Sequence, residues 1–149
     1  MFHLVLLAPE IPHNAGAAGR LCLATGSTLH LVKPLGFSLD DKHVRRTGLD
    51  YWHRVDLKVW DSLEALLETA AGRIWLLSTK GEGGLWETRF QPGDYLLFGC
   101  ETRGLPASLL EAHHERVVRI PMQESGTRSL NLATSAAVVL YEAWRQNRG

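Results

Sequence analysis

The sequence predicts an α/β fold, in which a mostly parallel β-sheet is flanked by helices on both faces. Short apolar segments rich in β-branched residues alternate along the chain with longer segments of helical periodicity. This alternation is typical of parallel sheets whose crossover helices cover both faces. The 149 residues, of which 45% are hydrophobic, suit a single domain over residues 1–149 with a substantial core.

The elements follow in order from these patterns. Six strands are predicted at residues 2–8, 28–33, 55–60, 73–79, 95–99 and 117–120. Helices are predicted at residues 15–25 and 62–71, from Pro106 onward, and at residues 136–144. Asn14 and Asp61 are predicted to cap the first two helices, and Gly26 and Gly72 to end them. Residues 81–84, which include three glycines, are predicted to form a turn or mobile loop.

Composition narrows the possible functions. Lysine plus arginine equals aspartate plus glutamate at 16 each, so any nucleic-acid surface must be a local patch. Cys22 and Cys100 lie in apolar surroundings, which indicates reduced thiols rather than a disulfide framework. Residues at the N-terminus do not show the basic segment followed by a long apolar segment that is typical of a signal peptide, and no apolar run approaches about 18 residues. We therefore expect a cytoplasmic protein with no membrane partner.

Several common chemistries lack their motifs. The turn after the first strand carries no G-x-G-x-x-G pattern, and the chain has no Walker-type phosphate loop. The seven histidines show no zinc spacing, so no metal site is predicted. Ser129 and Ser135 lack the G-x-S-x-G elbow of serine hydrolases.

Three polar, glycine-containing loops follow predicted strands, at residues 9–20, 99–106 and 121–135. Because ligands bind at the carboxyl ends of parallel strands, these loops are predicted to form one site. Gly99, Gly104 and Gly126 permit close approach of the backbone to a ligand. A tight turn explains any one of these glycines equally well, but their joint placement favours a binding site.

The same loops carry a family resemblance. Residues 9–20 read P-E-I-P-H-N-A-G-A-A-G-R, residues 97–106 read L-F-G-C-E-T-R-G-L-P, and I-P-M at 120–122 is followed by R-S-L-N-L at 128–132 and Y-E-A-W-R-Q at 141–146. With these ordered motifs the chain resembles the SPOUT (SpoU and TrmD) RNA methyltransferases. Within them it is similar to the small enzymes that methylate the ribose 2′-hydroxyl of a cytidine or uridine at the tRNA wobble position. The resemblance spans essentially the whole chain, including residues 36–51.

The resemblance implies a C-terminal deep trefoil knot, a homodimer with methyl-donor pockets near the subunit interface, and S-adenosylmethionine as the donor, without a metal. The knot is an exception to the usual rules of chain connection, so it rests on the resemblance alone. The implied donor-binding residues are Leu77, Gly99, Glu101, Gly104, Ile120, Met122, Ser129 and Leu130.

Arg20 matches the arginine to which the family assigns a role at the 2′-hydroxyl, and Asn14 is the second candidate catalytic residue. A guanidinium is too basic to be an ordinary general base, so Arg20 is expected to act with an RNA phosphate or to stabilise alkoxide charge. Asn14 has two open roles, capping its helix and orienting Arg20. The candidate tRNA-binding residues are Arg128, Tyr141, Lys42, Arg45 and Arg46.

Alternatives stay open for some of these residues and for the function. Tyr141 is as well explained by core packing as by contact with the target nucleotide, and Ala133 stands where the family pattern has Ser or Asn. The rival functions are a catalytically silent knotted dimer that binds RNA, a methyltransferase that acts on ribosomal RNA, and a flavodoxin-like nucleotide-binding protein.

Overall fold

Seven strands form one parallel sheet in the described part of the chain. The structure, a computed structural model, describes residues 1–47, 49–124, 126–127 and 129–148, and no side chains are described for residues 45–50. The strands are β1 (His3–Leu7), β2 (Thr28–Val32), β3 (Leu57–Trp60), β4 (Ile74–Leu77), β5 (Gly83–Gly84), β6 (Tyr95–Phe98) and β7 (Val117–Arg119). The α-helices are α1 (Pro12–Thr25), α2 (Lys42–Thr47), α3 (Leu63–Thr69), α4 (Ala107–Ala112) and α5 (Leu132–Asn147). Three 3₁₀ turns add Leu49–Arg54, Leu85–Glu87 and His114–Arg116.

The strand order is β3-β2-β1-β6-β4-β7-β5, and every pair of neighbouring strands is parallel. The predicted α/β class with a parallel sheet is therefore confirmed. The central strands β1, β6 and β4 bring the loops that follow them to one edge of the sheet. The threading of the C-terminal segment through a knot stays a prediction.

Both faces of the sheet are buried, as a parallel sheet requires. Leu4 and Leu6 of β1 point to one face, where helices α1 and α5 contribute Ala18, Cys22 and Leu140 to the same core. Val5 points to the opposite face and packs in a second core with α3 and α4. The alternation along β1 thus joins two apolar layers through a single central strand.

Several predicted helix boundaries are wrong. Helix α1 begins at Pro12, and its N-cap is Ile11 rather than Asn14. The α3 helix is capped by Ser62, whose hydroxyl accepts a hydrogen bond from the Ala65 amide, rather than by Asp61. Helix α5 starts at Leu132, four residues earlier than predicted.

Of the two glycines predicted to end helices, one does so and the other does not. Gly26 takes a left-handed conformation with φ 65° and ends α1 as predicted. Gly72 does not end α3, which is capped by Ala70; instead, a Cβ at Gly72 would overlap the Gly93 carbonyl oxygen. Residues 83–84 form strand β5 rather than only the predicted turn.

Side chains near the C-terminal end of α5 fix it against the segment before β6. The Gln146 side-chain amide donates to the Thr88 carbonyl and its oxygen accepts from the Phe90 amide, both over 2.9 Å. Within the described residues, no helix is both long and apolar enough to cross a membrane.

Candidate functional site

The loops after β1 and β6 are joined by the Glu101 carboxylate. Its Oε1 accepts the Glu10 amide N–H over 2.7 Å, and its Oε2 accepts the Ile11 amide over 2.9 Å and the Asn14 Nδ2 over 3.0 Å. The Ile11 amide lies at the start of α1, where backbone donors have no partner inside the helix. In a capping box the side chain at N3 accepts the amide of the N-cap residue, and here Glu101 supplies that acceptor from the second loop.

A reciprocal contact runs in the opposite direction. The Glu10 Oε1 accepts both the backbone N–H of Thr102, over 2.9 Å, and the Thr102 hydroxyl, over 2.8 Å. These hydrogen bonds to the ionised carboxylate lower the pKa of Glu10 below its ordinary value. The two loops thus exchange carboxylate contacts and hold each other in place.

Asn14 connects this pair of loops to the third. Its Oδ1 accepts the Asn131 Nδ2 over 3.1 Å, while its own Nδ2 binds Glu101. Asn131 in turn caps α5, because its Oδ1 accepts the Thr134 amide over 3.1 Å. Both ends of the Asn14 amide are therefore occupied by the loops after β6 and β7, and Asn14 is only 5% exposed.

A cleft opens where these loops meet the strand ends. Its inner part, of about 100 Å³, is mostly apolar and is lined in part by Leu77, Phe98, Ile120 and Met122. Its outer part, of about 490 Å³, is more polar and runs along the loop after β6. The inner part suits a flat apolar or aromatic group, and the outer part suits a polar chain.

The structure places all eight predicted donor-binding residues along this cleft. Ile120 and Met122 line the inner part, Gly99, Glu101 and Gly104 line the outer part, and both parts share the remaining three, Leu77, Ser129 and Leu130. Glu101 reaches the cleft, but both of its carboxylate oxygens already bind the first loop.

Glycine is required where the loop after β6 folds back on itself. A Cβ at Gly99 would overlap the carbonyl carbon of Gly104 and the nitrogen of Leu105. Gly104 has φ 68°, a left-handed conformation that other residues adopt only with strain, and it pairs with Cys100 in an isolated bridge. This close fold forms one wall of the outer cleft.

One wall of the cleft was not predicted from the sequence. Ser78, Thr79 and Lys80 follow β4 and line the cleft, as does Ser135 in the first turn of α5. The predicted strand 73–79 included Ser78 and Thr79, whereas β4 ends at Leu77 and leaves them in the loop at its carboxyl end. The glycines that follow, at residues 81–84, were predicted to form a turn or mobile loop and not a part of the site.

Arg20 lies outside this cleft. It is exposed on α1 and lines a separate pocket with Leu23, Ala24, Tyr51 and Arg54, and that pocket shares no lining residue with the cleft. Its Cζ lies 6.0 Å from the centre of the Tyr51 ring. Because the Asn14 amide is occupied elsewhere, the contacts of the described residues do not support Asn14 as the residue that orients Arg20.

The remaining candidates are dispersed. Tyr141 is 47% exposed on α5, with its ring 5.6 Å from that of Trp144, so it is not a core residue. Lys42 is exposed at the start of α2. The side chains of Arg45 and Arg46, and the whole of Arg128, lie outside the described residues.

The described residues contain no candidate metal cluster, and the Cys22 thiol is not a reactive one. No cluster of three potential metal ligands occurs among the described residues. Burial raises the pKa of the Cys22 thiol to about 12, which makes it a poor nucleophile.

Comparison with known proteins identifies the family. The model of the SpoU rRNA Methylase family matches residues 1–141. The chain belongs to the SpoU methylase family. Within this family, the chain is 49% identical over 150 residues to a tRNA (cytidine(34)-2′-O)-methyltransferase of Burkholderia ambifaria, covering 98% of this chain and 96% of that protein.

Solved structures agree with this membership. A structure described as giving insights into the 2-OH methylation of C/U34 on tRNA superimposes with a TM-score of 0.92 at 50% identity, covering 98% of this chain and 95% of that one. The SpoU methyltransferase AviRb from Streptomyces viridochromogenes, in complex with AdoMet, gives a TM-score of 0.81 at 27% identity, covering 97% of this chain and 57% of that one. A SpoU methylase of known structure therefore binds the methyl donor on this fold.

Proposed function

We propose that this protein transfers the methyl group of S-adenosylmethionine to the ribose 2′-hydroxyl of the wobble nucleotide of tRNA, cytidine or uridine at position 34. One observation carries the proposal: the family resemblance at about half identity runs the full length of the chain, and the motif loops converge on one cleft. Since tRNA is the substrate, the cytoplasm is the proposed place of action.

The cleft lining fits the methyl donor. Leu77, Ile120, Met122 and Leu130 provide a dry slot for an adenine ring. The loop around Gly99 and Gly104 exposes backbone groups to which the polar parts of a nucleoside can hydrogen bond. When bound, S-adenosylmethionine supplies an electrophilic methyl group, so the protein's own task is to align the attacking hydroxyl.

Arg20 is the proposed catalytic residue. The 2′-oxygen attacks the methyl carbon as the sulfur–carbon bond breaks, and the hydroxyl proton must leave. A guanidinium near that oxygen stabilises the negative charge that develops on it, and the proton passes to an RNA phosphate or to solvent. Asn14 contributes indirectly, by holding the three cleft loops together.

A homodimer is part of the proposal. The Arg20 pocket shares no lining residue with the cleft, which supports an arrangement in which Arg20 of one protomer faces the donor bound to the other. Val138 and Tyr141 of α5, 39% and 47% exposed, supply apolar surface for such an interface.

Dimer exchange tests this arrangement. Two variants that are each expected to be inactive are mixed. Arg20→Ala lacks the catalytic arginine, and Leu130→Asp is designed not to bind the donor. If the site is shared between protomers, mixing under conditions of subunit exchange restores activity that neither variant has alone. Activity of the wild type as a proven monomer at high dilution would contradict the shared site.

The activity itself is tested by transfer of labelled methyl from S-adenosylmethionine to unmodified tRNA and, in parallel, to ribosomal RNA. Label on the ribose of nucleotide 34 supports the proposal, and its loss in Arg20→Ala with donor binding retained supports the role of Arg20. Label on ribosomal RNA alone would indicate that ribosomal RNA, and not tRNA, is the substrate. RNA binding without donor binding would favour a catalytically silent dimer. Saturation by flavin in place of the donor would indicate a flavodoxin-like protein.

A further inference from the structure

We propose that Tyr51 and Arg54, together with Arg20, form a subsite that binds a phosphodiester of the RNA substrate. The inference rests on the proposed function and deepens it, because it names residues that hold the RNA beside the catalytic arginine.

The geometry places two guanidinium groups around one aromatic ring. The Cζ of Arg20 lies 6.0 Å and that of Arg54 lies 5.7 Å from the centre of the Tyr51 ring. All three side chains are exposed, and they line a pocket of about 290 Å³ whose apolar wall is formed by Leu23 and Ala24. The ring limits the directions in which the guanidinium groups point and so lowers the entropy lost when they bind a ligand.

No described side chain balances the charge of this pocket. Neither Arg20 nor Arg54 has an ion pair with any described side chain, and the lining contains no carboxylate. Two arginines elsewhere in the chain are paired in this way: Arg73 binds Asp94 over 2.8 Å, and Arg145 binds Glu142 over 2.9 Å. Two adjacent unpaired guanidinium groups on a chain of zero net charge form a local cationic site.

The backbone beneath the pocket is anchored. Tyr51 and Arg54 belong to the 3₁₀ turn Leu49–Arg54, in which residues three positions apart lie one above the other. Trp52 of the same turn packs inward against α1 at Gly19, where an added Cβ would lie 2.6 Å from the indole ring. The inward tryptophan thus fixes the turn while Tyr51 and Arg54 face solvent.

These features match a phosphate better than they match a base or a peptide. Arginine presents several donors in a planar fork that fits phosphate oxygens, and such charge-assisted bonds are stronger than neutral ones. Since Arg20 is the residue proposed to act at the ribose, a phosphodiester bound between Arg20 and Arg54 belongs to the target nucleotide or its neighbour.

The test compares Arg54→Gln with a matched control, Arg89→Gln, which removes the same charge from an exposed arginine outside this pocket. Binding of unmodified tRNA is measured at several salt concentrations, with donor affinity and thermal unfolding for each variant. Arg54→Gln is expected to weaken tRNA binding roughly tenfold, the loss of one charge-assisted contact. It also reduces the slope of log affinity against log salt by about 0.7, the value for one single-strand phosphate.

Variants of Tyr51 separate the ring from its hydroxyl. Tyr51→Phe keeps the ring and is expected to retain tRNA affinity, whereas Tyr51→Ala weakens it. In Arg54→Lys the charge remains, so most of the salt dependence is retained while affinity falls, because an ammonium lacks the planar fork.

The inference is overturned if Arg54→Gln and Arg89→Gln have the same tRNA affinity and salt slope while the wild type methylates position 34. If Arg54→Gln unfolds, Arg54→Lys and Tyr51→Ala decide the question by the same two measurements. A wild-type protein that methylates no tRNA would instead refute the proposed function, so the two failures are distinguishable.

Discussion

Asn14 and Asn131 are 117 positions apart in the sequence, yet their side-chain amides share a hydrogen bond of 3.1 Å. Asn14 also donates a hydrogen bond from its Nδ2 to the carboxylate of Glu101, 87 positions away, over 3.0 Å. The loops after β1, β6 and β7 are therefore one hydrogen-bonded unit. Their polar side chains therefore serve in part to hold the walls of the cleft together.

Removing Asn14 should damage all three loops. Asn14→Ala removes two hydrogen bonds made by a buried amide, so we expect the free energy of unfolding to fall by about 1–3 kcal/mol. A double-mutant cycle with Asn131→Ala, measured by denaturant unfolding, is expected to give a coupling energy of about 0.5–3 kcal/mol. Additive effects of the two changes would mean that the contact contributes nothing to stability.

Glu101→Gln tests the carboxylate that holds the start of α1. Glutamine offers one acceptor oxygen in place of two, and its NH₂ group would face a backbone N–H donor. We expect a loss of about 1.5–3 kcal/mol in stability, typical of hydrogen bonds to charged groups, together with weaker donor binding. The matched control is Glu111→Gln on the exposed side of α4, and equal stability of the two variants would contradict the role given to Glu101.

The sequence predicted more of the site than of the helix ends, and the reason is physical. Strand periodicity and the loops after the strands are local signals, and they predicted one site at the strand ends. The eight donor-binding candidates were implied by the family resemblance, and they line the cleft that forms there. The start of α1 carries a local signal in Pro12, but the acceptor of the Ile11 amide has none, because Glu101 lies 90 positions away. Strand β5 has only two residues and pairs with β7 alone, so it too lacks a pattern of its own.

Gly99→Ala should disrupt the outer cleft. The added methyl group would overlap the backbone of Gly104 and Leu105, which cannot move without opening the loop. We expect destabilisation by about 1–3 kcal/mol, as for overpacked sites, and loss of donor binding measured by calorimetry. Gly83→Ala is the control, since its nearest neighbour would lie at an ordinary 3.6 Å. Normal donor affinity in Gly99→Ala would show that the loop is not a wall of the binding site.

Leu130→Ala should weaken donor binding with little effect on the stability of the fold. Leu130 is 37% exposed and lines both parts of the cleft, so its truncation removes apolar contact with a ligand and little contact with the core. We expect donor affinity to fall by roughly 5- to 20-fold, which corresponds to about 1–2 kcal/mol of apolar burial. Val59→Ala, at 39% exposure on β3, is the control and should leave donor affinity unchanged. Equal donor affinity of the two variants would place the donor elsewhere.

A hydrogen-bonded pair of histidines, the buried His30 and the half-buried His3, should make the fold sensitive to acid. The Trp60 Nε1–H donates to the His30 Nδ1 over 3.0 Å, so the proton of neutral His30 lies on Nε2 and is donated to the His3 Nδ1 over 2.8 Å. A second proton on His30 would face the indole N–H. Burial lowers the pKa of His30 to about 4, and burial also lowers the pKa of His3.

The direction of the pH effect follows from these shifts. Between the ordinary histidine pKa of 6.5 and about 4, the unfolded chain binds a proton at position 30 that the folded protein does not. The stabilisation contributed by neutral His30 is therefore complete above pH 6.5 and falls as the pH drops towards 4.

The variant His30→Gln tests this effect. Its side-chain oxygen accepts from Trp60 and its NH₂ donates to His3, so both hydrogen bonds persist without the titration. Denaturant unfolding from pH 7.5 to 4 should show a steeper loss of stability for the wild type than for His30→Gln, while His114→Gln, a change at an exposed histidine, follows the wild type. Parallel curves for the wild type and His30→Gln would mean that the pair accepts a proton without cost.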